Sequence, residues 1–571
     1  MSQNKKDVND AGRREFVRWG MQLSAGIALA PLVGCSGGGD GAASTKTADT
    51  LPDPEMLASQ NGSLSLTLSA RYTRQSFTFG EPQKVFPGNA RTVATELRSF
   101  NGRYLAPTLR LKPGDTLRIL LRNELPGNVT GQSSLRHLNY QNSTNLHFHG
   151  LHVDPREIRP GVFGDYVVDY SGAGVLPGAT RQHELAIPRD HTGGIYWYHP
   201  HLHGSTNTQV SSGMFGAILI EDPSDQLLTG TGIRERVIFT HKLTVNSAGR
   251  TDSFYDTLVN TPSAFLLNGA FQPTLVMRPG EVQVWHFVNS ASFRPFHPVL
   301  DDHTMLAFAR DGAPYDQRFL PVNRLSTANL RPPEWPGAAV YPGGRLSVIV
   351  RASDTPGAYY LRSADAPSSD GEEIVARLVV EGEPAAMSLP PPTRLARPQE
   401  LKPITDDEFA AAGGRQRTIM LSIEPKDSPR LPQPLPEGED WFVPASDVQN
   451  FITNLVFAAG KPPSAGGTGL AVFQSWLAEH KTVPLNAVEE WTLINGNAYP
   501  HPFHIHVNEC YVTKLNGEAI TPFWADTLPI PPNGSLTFRS RFTDFTGSFV
   551  WHCHALDHED MGMMQLVEVR A

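Results

Sequence analysis

The sequence predicts an all-β protein made of three related sandwich domains, and three observations carry that expectation. Gly 50 and Pro 48 make up about 17% of the chain, against an average nearer ~12%. Charged residues fall to 18%, below the ~25% usual for soluble domains, so the chain is rich in turns and poor in surface-helix residues. Its 571 residues exceed what one core accommodates, and the same β pattern recurs three times along them.

The N-terminus reads as an address. Arg13-Arg14-Glu15-Phe16-Val17-Arg18 precedes a mildly apolar stretch from Met21 to Val33, which resembles a twin-arginine export signal. The stretch ends Leu32-Val33-Gly34-Cys35, which resembles a bacterial lipoprotein cleavage site with Cys35 as the lipidated residue. Residues 1–35 are therefore expected to be a signal and residues 36–58, opening Ser36-Gly37-Gly38-Gly39, a flexible tether. An exported, lipid-anchored protein of the periplasm or cell envelope follows. No apolar run reaches the ~20 residues that span a bilayer. A net charge of −9 argues against a nucleic-acid partner. Besides Cys35 the chain has just Cys510 and Cys553, too few to staple it, so its stability must come from core burial.

The first recurring strand is Pro113-Gly114-Asp115-Thr116-Leu117-Arg118-Ile119-Leu120-Leu121-Arg122-Asn123, which alternates apolar and polar residues and ends in Asn. Residues Pro279 to Asn289 and Val488 to Asn495 repeat it, each as a half-buried strand. The second recurring strand is Gly194 to His201, then Gly357 to Ala364, then Gly547 to His554. The expected organisation is a first domain over 59–224, a second over 225–384, a Pro-rich linker over 385–410 and a third domain over 411–571. The Pro- and Gly-loaded segment Glu424–Gly469 reads as a long loop inserted in the third domain. Its deletion is expected to change substrate preference without changing the metal spectrum.

Aligning the copies distinguishes the domains. The first has His199 and His201 around Pro200, the third His552 and His554 around Cys553, and the second has Arg362 and Ala364 instead. The second domain is thus a spacer, and the first holds half a site, because proline cannot ligate a metal.

Four histidine clusters stand out: His147-Phe148-His149, His199-Pro200-His201, His501-Pro502-Phe503-His504-Ile505-His506, and His552-Cys553-His554 followed by His558 and Met563. Alternate residues of a strand share a face. His552 and His554 therefore point one way and Cys553 the other, while His501 lies opposite His504 and His506. Two centres follow. His501, His558 and Cys553, with thioether Met563 as a weak axial ligand, are the donors of a blue-copper electron-transfer site. The four pairs His147/His149, His199/His201, His504/His506 and His552/His554 suit copper or zinc and are too many for one ion. Half come from each outer domain, so this second centre is expected at their interface. The Cys553 backbone links the two centres, an arrangement suited to collecting electrons singly and delivering several.

These clusters, in this order, resemble those of the multicopper oxidases, the group of laccases, bacterial cuprous oxidases and bilirubin oxidases. The resemblance covers essentially the whole mature chain and implies three cupredoxin-like Greek-key β-sandwich domains holding four coppers. It implies that His501, Cys553, His558 and Met563 form the type-1 site, that His147 and His504 are type-2 ligands, and that His149, His199, His201, His506, His552 and His554 hold the type-3 pair. The implied reaction couples four one-electron oxidations of a small reducing substrate to reduction of O2 to two waters, by a chain expected to be a monomer.

Reducing O2 also needs protons, hence an acid near the cluster. Glu559 resembles one that bacterial members carry there, and Asp165 is preferred over Asp154 and Glu157 as the aspartate the family places after the first cluster. His203 is expected to support the site or face solvent, Cys510 to be a buried apolar residue, and His286, His297 and His303 to be structural. Of 11 Met, just Met561, Met563 and Met564 cluster. Soft thioethers bind Cu(I), so their scarcity tilts the substrate towards phenols and aromatic amines. The alternatives are a cuprous or metal-ion oxidase and a copper-binding envelope scaffold without turnover.

Overall fold

In the computed structural model the residues described are 47–80, 86–128, 141–169, 171–221, 232–245, 248–251, 263–315, 320–322, 339–363, 373–390, 401–421, 481–495, 497–560 and 563–571. The expected signal, the start of the tether and the Glu424–Gly469 loop lie outside them. Strands dominate, in six sheets that group along the chain as three pairs. The first pair draws its strands from Met56 to Ile220, the second from Arg234 to Val380, and the third from Arg415 to Arg570. Each pair encloses a core, with Leu117, Ile119 and Phe148 in the first, Trp285, Phe287 and Val348 in the second, and Trp491, Phe503 and Trp551 in the third. Among the described residues no helix is long and apolar enough to cross a membrane.

The repeated strand occupies the same place each time. Thr116–Asn123 buries Leu117, Ile119 and Leu121 while its alternate residues reach outward, as a half-buried strand should. Its middle counterpart Val282–Asn289 departs from that expectation and is buried throughout. The reason is that its outer face is covered too, with Val282 and Val284 packed against Phe308 and Ile349 and His286 bonded to Ser347 and Glu235.

The terminal Asn of each copy does the same work. The Asn123 side-chain amide donates to the carbonyls of Asn142 and Val175, and its oxygen accepts from the Leu125 amide. Asn289 bonds Arg294, Val340 and Ala291 in that pattern, and Asn495 bonds Tyr499, Ile530 and Asn497. Each Asn thus ties the end of one sheet to the backbone of two neighbouring segments, and its own buried amide is satisfied by doing so.

Two segments are more ordered than their composition implied. Residues 47–58, expected within the flexible tether, bind the domains instead. Leu51 is buried in the middle core, the Thr50 amide donates to the Thr274 carbonyl, Asp53 pairs with Arg234, and Met56–Ala58 adds a parallel strand to Thr108–Leu111. Alternating apolar and acidic residues in 49–57 find a core pocket and buried Arg236, which outweighs the cost of ordering them. The end of the Pro-rich linker also docks. Thr405 caps the helix Asp406–Ala411, Asp406 and Glu408 pair with Arg539 and Arg541, and Leu401 and Ile404 pack with Trp524.

Replacing Asn289 with Ala removes three hydrogen bonds, those to the Arg294 and Val340 carbonyls and that from the Ala291 amide, at about 2–4 kcal/mol. The urea midpoint should fall with an unchanged slope. A loss under about 0.5 kcal/mol, the range of an inert surface change, would contradict this account of the repeat.

Candidate metal centre

Strand pairing brings the histidines together two by two. Antiparallel register sets His199 beside His147, and in the third domain sets His552 beside His504 and Cys553 beside Phe503. The strands end at His199, Ile505 and Cys553, so His201, His506 and His554 sit one or two residues beyond, yet their side chains still converge. Immediately after His506, Val507 is held at φ 68°, a strained setting for a β-branched residue. The two sets meet face to face. His147 stacks on His506 with ring centroids 3.8 Å apart, and His149 stacks on His504 at 3.7 Å. His201 Nε2 lies 3.0 Å from His552 Nε2, which lies 3.4 Å from His506 Nε2. All eight rings are buried.

In four of the eight rings the outward nitrogen is used to aim the ring. His147 Nδ1 faces both Asp165 oxygens at 3.0 Å, His199 Nδ1 the Pro200 carbonyl at 2.9 Å, and His504 Nδ1 the Asp526 carbonyl at 2.9 Å. His552 Nδ1 lies 3.2 Å from the Cys553 carbonyl. A proton donated outward at Nδ1 leaves the Nε2 lone pair pointing inward, the arrangement found behind metal-binding histidines. His147 Nε2, His149 Nδ1, His199 Nε2, His504 Nε2 and both ring nitrogens of His554 are buried without a hydrogen-bond partner. Each such group costs about 1–3 kcal/mol unless something fills the gap. Burial, then the neighbouring imidazoles, holds His147, His201, His506, His552 and His554 well below the usual histidine range. Protons are therefore not what fills it. Buried, neutral, convergent imidazoles with free lone pairs fit cations of the copper type.

A second group lies on the opposite side of the same strands, as parity required. His501 Nδ1 and His558 Nδ1 each lie 3.5 Å from Cys553 Sγ. Met563 is buried beside them. Its carbonyl accepts from the Cys553 amide and its amide donates to the His558 carbonyl, so its backbone brackets both. Asn497, a residue with no motif to mark it, lies 2.8 Å from His501 Nε2 and fixes that ring with Nδ1 towards the thiol. Two imidazoles and a thiol converging in a dry pocket fit a soft copper site.

The expected acids are both at the cluster. Asp165 is buried and also accepts from the Phe148 amide, and burial pushes its carboxyl up to about 8. The alternatives are at the surface, where Asp154 pairs with Arg156 and Glu157 caps the Gly161 amide. Glu559 is fully buried, with Oε1 3.3 Å from His201 Nδ1 and Oε2 3.2 Å from His552 Nδ1. Burial, then the charge of Asp560, pushes it well above the usual carboxylate range. Asp560, raised to about 7 by burial, accepts from the amides of Gly204 and Asn207 and ties its helix to the first domain. His203 is buried, its ring bonded to the Glu559 backbone. Cys510 lies in the third core. In the middle domain His303 bonds Asp301 and Ser353, and Arg362 pairs with Asp301 where the outer domains carry histidine.

Asp165→Ala, which removes the acceptor behind His147, should weaken metal binding at the cluster about 10–100-fold in chelator competition, leaving the Cys553 site intact. The two centres should also differ with pH. Burial raises the Cys553 thiol well above its usual value, so metal capture there expels a proton and should weaken about tenfold per unit as pH falls. Burial already keeps His147, His149, His201, His506, His552 and His554 well below the usual histidine range and His199 as low as about 3, so affinity there should stay flat between about pH 7 and pH 5. Equal pH slopes at the two centres would contradict this.

The comparisons with known proteins agree with this geometry. Family models described as multicopper oxidase match residues 470–571 and 135–225, the segments that carry the histidines. A laccase from Bacillus subtilis is 22% identical over 523 residues, covering 83% of this chain and 90% of that protein. Among solved structures, a multicopper oxidase from Campylobacter jejuni described as a metallo-oxidase superposes with a TM-score of 0.62 at 22% identity, covering 91% of this chain and 96% of that one. A laccase-like multicopper oxidase from Ochrobactrum, described as active on lignin model compounds, gives 0.61 at 21% identity, covering 91% of this chain and all of that one (100%). With both histidine-bearing segments matched by multicopper oxidase models and the ligand-type side chains converging as copper chemistry needs, the chain is similar to the multicopper oxidases, and these matches support a copper-binding oxidoreductase.

Proposed function

We propose that this oxidase takes electrons singly from small aromatic reductants, phenols and aromatic amines, and delivers four of them to O2, giving two waters. His501, Cys553, His558 and Met563 would hold the copper that receives electrons. His147 and His504 would hold the type-2 copper, and His149, His199, His201, His506, His552 and His554 would hold the type-3 pair. Copper, when bound, supplies the one-electron redox chemistry and the place where O2 is reduced. The chain supplies the rest. The Cys553 backbone joins the two centres covalently through His552 and His554. Glu559 and Asp165 hold protons beside the outward ring nitrogens of His201, His552 and His147. Export and anchoring through Cys35 would put the enzyme in the cell envelope, where small reductants arrive from outside.

The observation that carries the choice of substrate is an aromatic surface over the electron-receiving site. Phe293 is 51% exposed, and its ring lies 5.8 Å from the His558 ring. Tyr499 lies 5.2 Å from the His501 ring and 6.2 Å from that of His558. A flat apolar ring over the ligand edge suits an aromatic donor. Met563 and Met564 are both buried, so they present no soft exposed thioethers to an incoming Cu(I).

Oxygen uptake by the copper-loaded protein, with a methoxyphenol and with Cu(I) as donors, tests the reading. The phenol should be the better substrate, and Phe293→Ala should lower its kcat/KM about 2–10-fold, the worth of one aromatic contact, without changing the rate with Cu(I). Faster turnover of Cu(I), with a Phe293→Ala variant indifferent to the phenol, would favour the cuprous oxidase. Full copper occupancy without turnover would favour a scaffold.

A further inference from the structure

The middle domain contributes none of the ligands assigned above, yet one of its side chains reaches the cluster. Arg345, at the start of the strand Arg345–Arg351, is fully buried. Its Nη1 and Nη2 take the two oxygens of Asp526, in the third domain, at 2.6 Å each. Its Nε donates to the Ile195 carbonyl of the first domain at 3.3 Å, and Nη2 also donates to the Asp311 carbonyl at 3.0 Å. One guanidinium thus holds all three domains, at the place where the first and third meet around the histidines.

Asp526 is what it holds, and Asp526 touches two of the rings. Its Oδ1 lies 3.5 Å from His149 Nε2 and 3.6 Å from His504 Nδ1, while its carbonyl takes His504 Nδ1. The Thr527 hydroxyl lies 3.2 Å from His149 Nε2 and donates to Asp526 Oδ1 at 2.8 Å. Asp311 closes the frame from the middle domain, accepting the Arg345 amide at 2.7 Å and the Thr527 amide at 3.2 Å. A carboxylate this near two imidazoles is itself a competent metal ligand. With both oxygens engaged by a fork of N–H donors, it is kept as a hydrogen-bond acceptor behind the rings.

Close approach on both sides argues that the fit is specific. A Cβ on Gly150, at φ 83°, would come within 2.3 Å of Arg345 Nη2 and 2.5 Å of Asp526 Oδ2. A Cβ on Gly343, in the turn that leads into Arg345, would come within 2.6 Å of the His554 ring. The turn thus presses on one histidine while the arginine two residues on controls two others.

We propose that Arg345 is a positioning residue for the histidine cluster, setting the orientation of His149 and His504 through Asp526 and keeping that carboxylate out of the ligand set. The proposal rests on the cluster being the copper centre assigned above. Lysine at this position keeps the charge and loses the two-pronged geometry, so Arg345→Lys is the variant of choice. In the copper-loaded full chain it should release cluster copper to a chelator about 10–100-fold more readily. It should also shift the type-2 paramagnetic-resonance signal, while the absorption from the Cys553 site stays near wild type. Should Arg345→Lys fail to fold, Asp526→Asn carries the same expectations at unchanged volume. Wild-type resonance and chelator resistance in whichever variant folds would overturn the proposal alone. Wild-type protein that binds metal just at Cys553 would overturn the copper-cluster reading and the proposal with it.

Discussion

Eight buried imidazoles aimed at one another are an unstable thing to build unless a cation comes with them. In this protein His201 and His552 bring ring nitrogens to 3.0 Å, and burial and mutual repulsion keep the rings from taking up the protons that would make such a contact favourable. The surrounding structure must therefore hold the rings in place before a metal does. It does so with the Asp165 carboxylate, the Pro200, Asp526 and Cys553 carbonyls and the Glu559 carboxyl, each spent on the outward side of a ring. The rest of the fold serves to bring those groups to one place.

That requirement explains the division of labour among the domains. The first and third offer matching strand pairs, so stacking His147 on His506 and His149 on His504 makes the site an interface rather than a pocket in either. The interface needs a third body to fix its spacing. The middle domain fills that role: the Ser292 carbonyl receives the Leu556 amide at the start of the helix that carries His558 and Glu559. Gly343 lies against His554, and the buried Arg345 completes the contact. A domain that looks blank when its strand is aligned with its neighbours is thus part of the frame.

What the sequence made legible was what repeats or alternates. Period-two parity separated Cys553 from His552 and His554 and set His501 apart from His504 and His506, and the contacts of each group follow that division. The Asn closing each recurring strand was visible as a repeat, though its hydrogen bonds were not. Spacing alone left Asp154, Glu157 and Asp165 open, because the loop between them reverses and just one end returns to His147. Asn497, Arg345, Asp526 and Asp560 were invisible for a different reason. Each is a single polar residue without a periodic neighbour, and, apart from Asn497 beside His501, its partner lies far along the chain, as with Arg345 and Asp526. Composition misled at residues 47–58 and 401–411, where a few apolar and acidic side chains amid Pro sufficed to dock the segment.

The central claim is that the facing imidazoles of the first and third domains enclose several metal ions, separate from the one beside Cys553. Diffraction from crystals of the copper-loaded protein, recorded on both sides of the copper absorption edge, tests it directly. One anomalous peak is expected between Cys553, His501 and His558, and a cluster of three inside the volume lined by the eight paired histidines, with Asp526 outside it. A single peak in that volume, or one bonded to the Asp526 carboxylate, would contradict it.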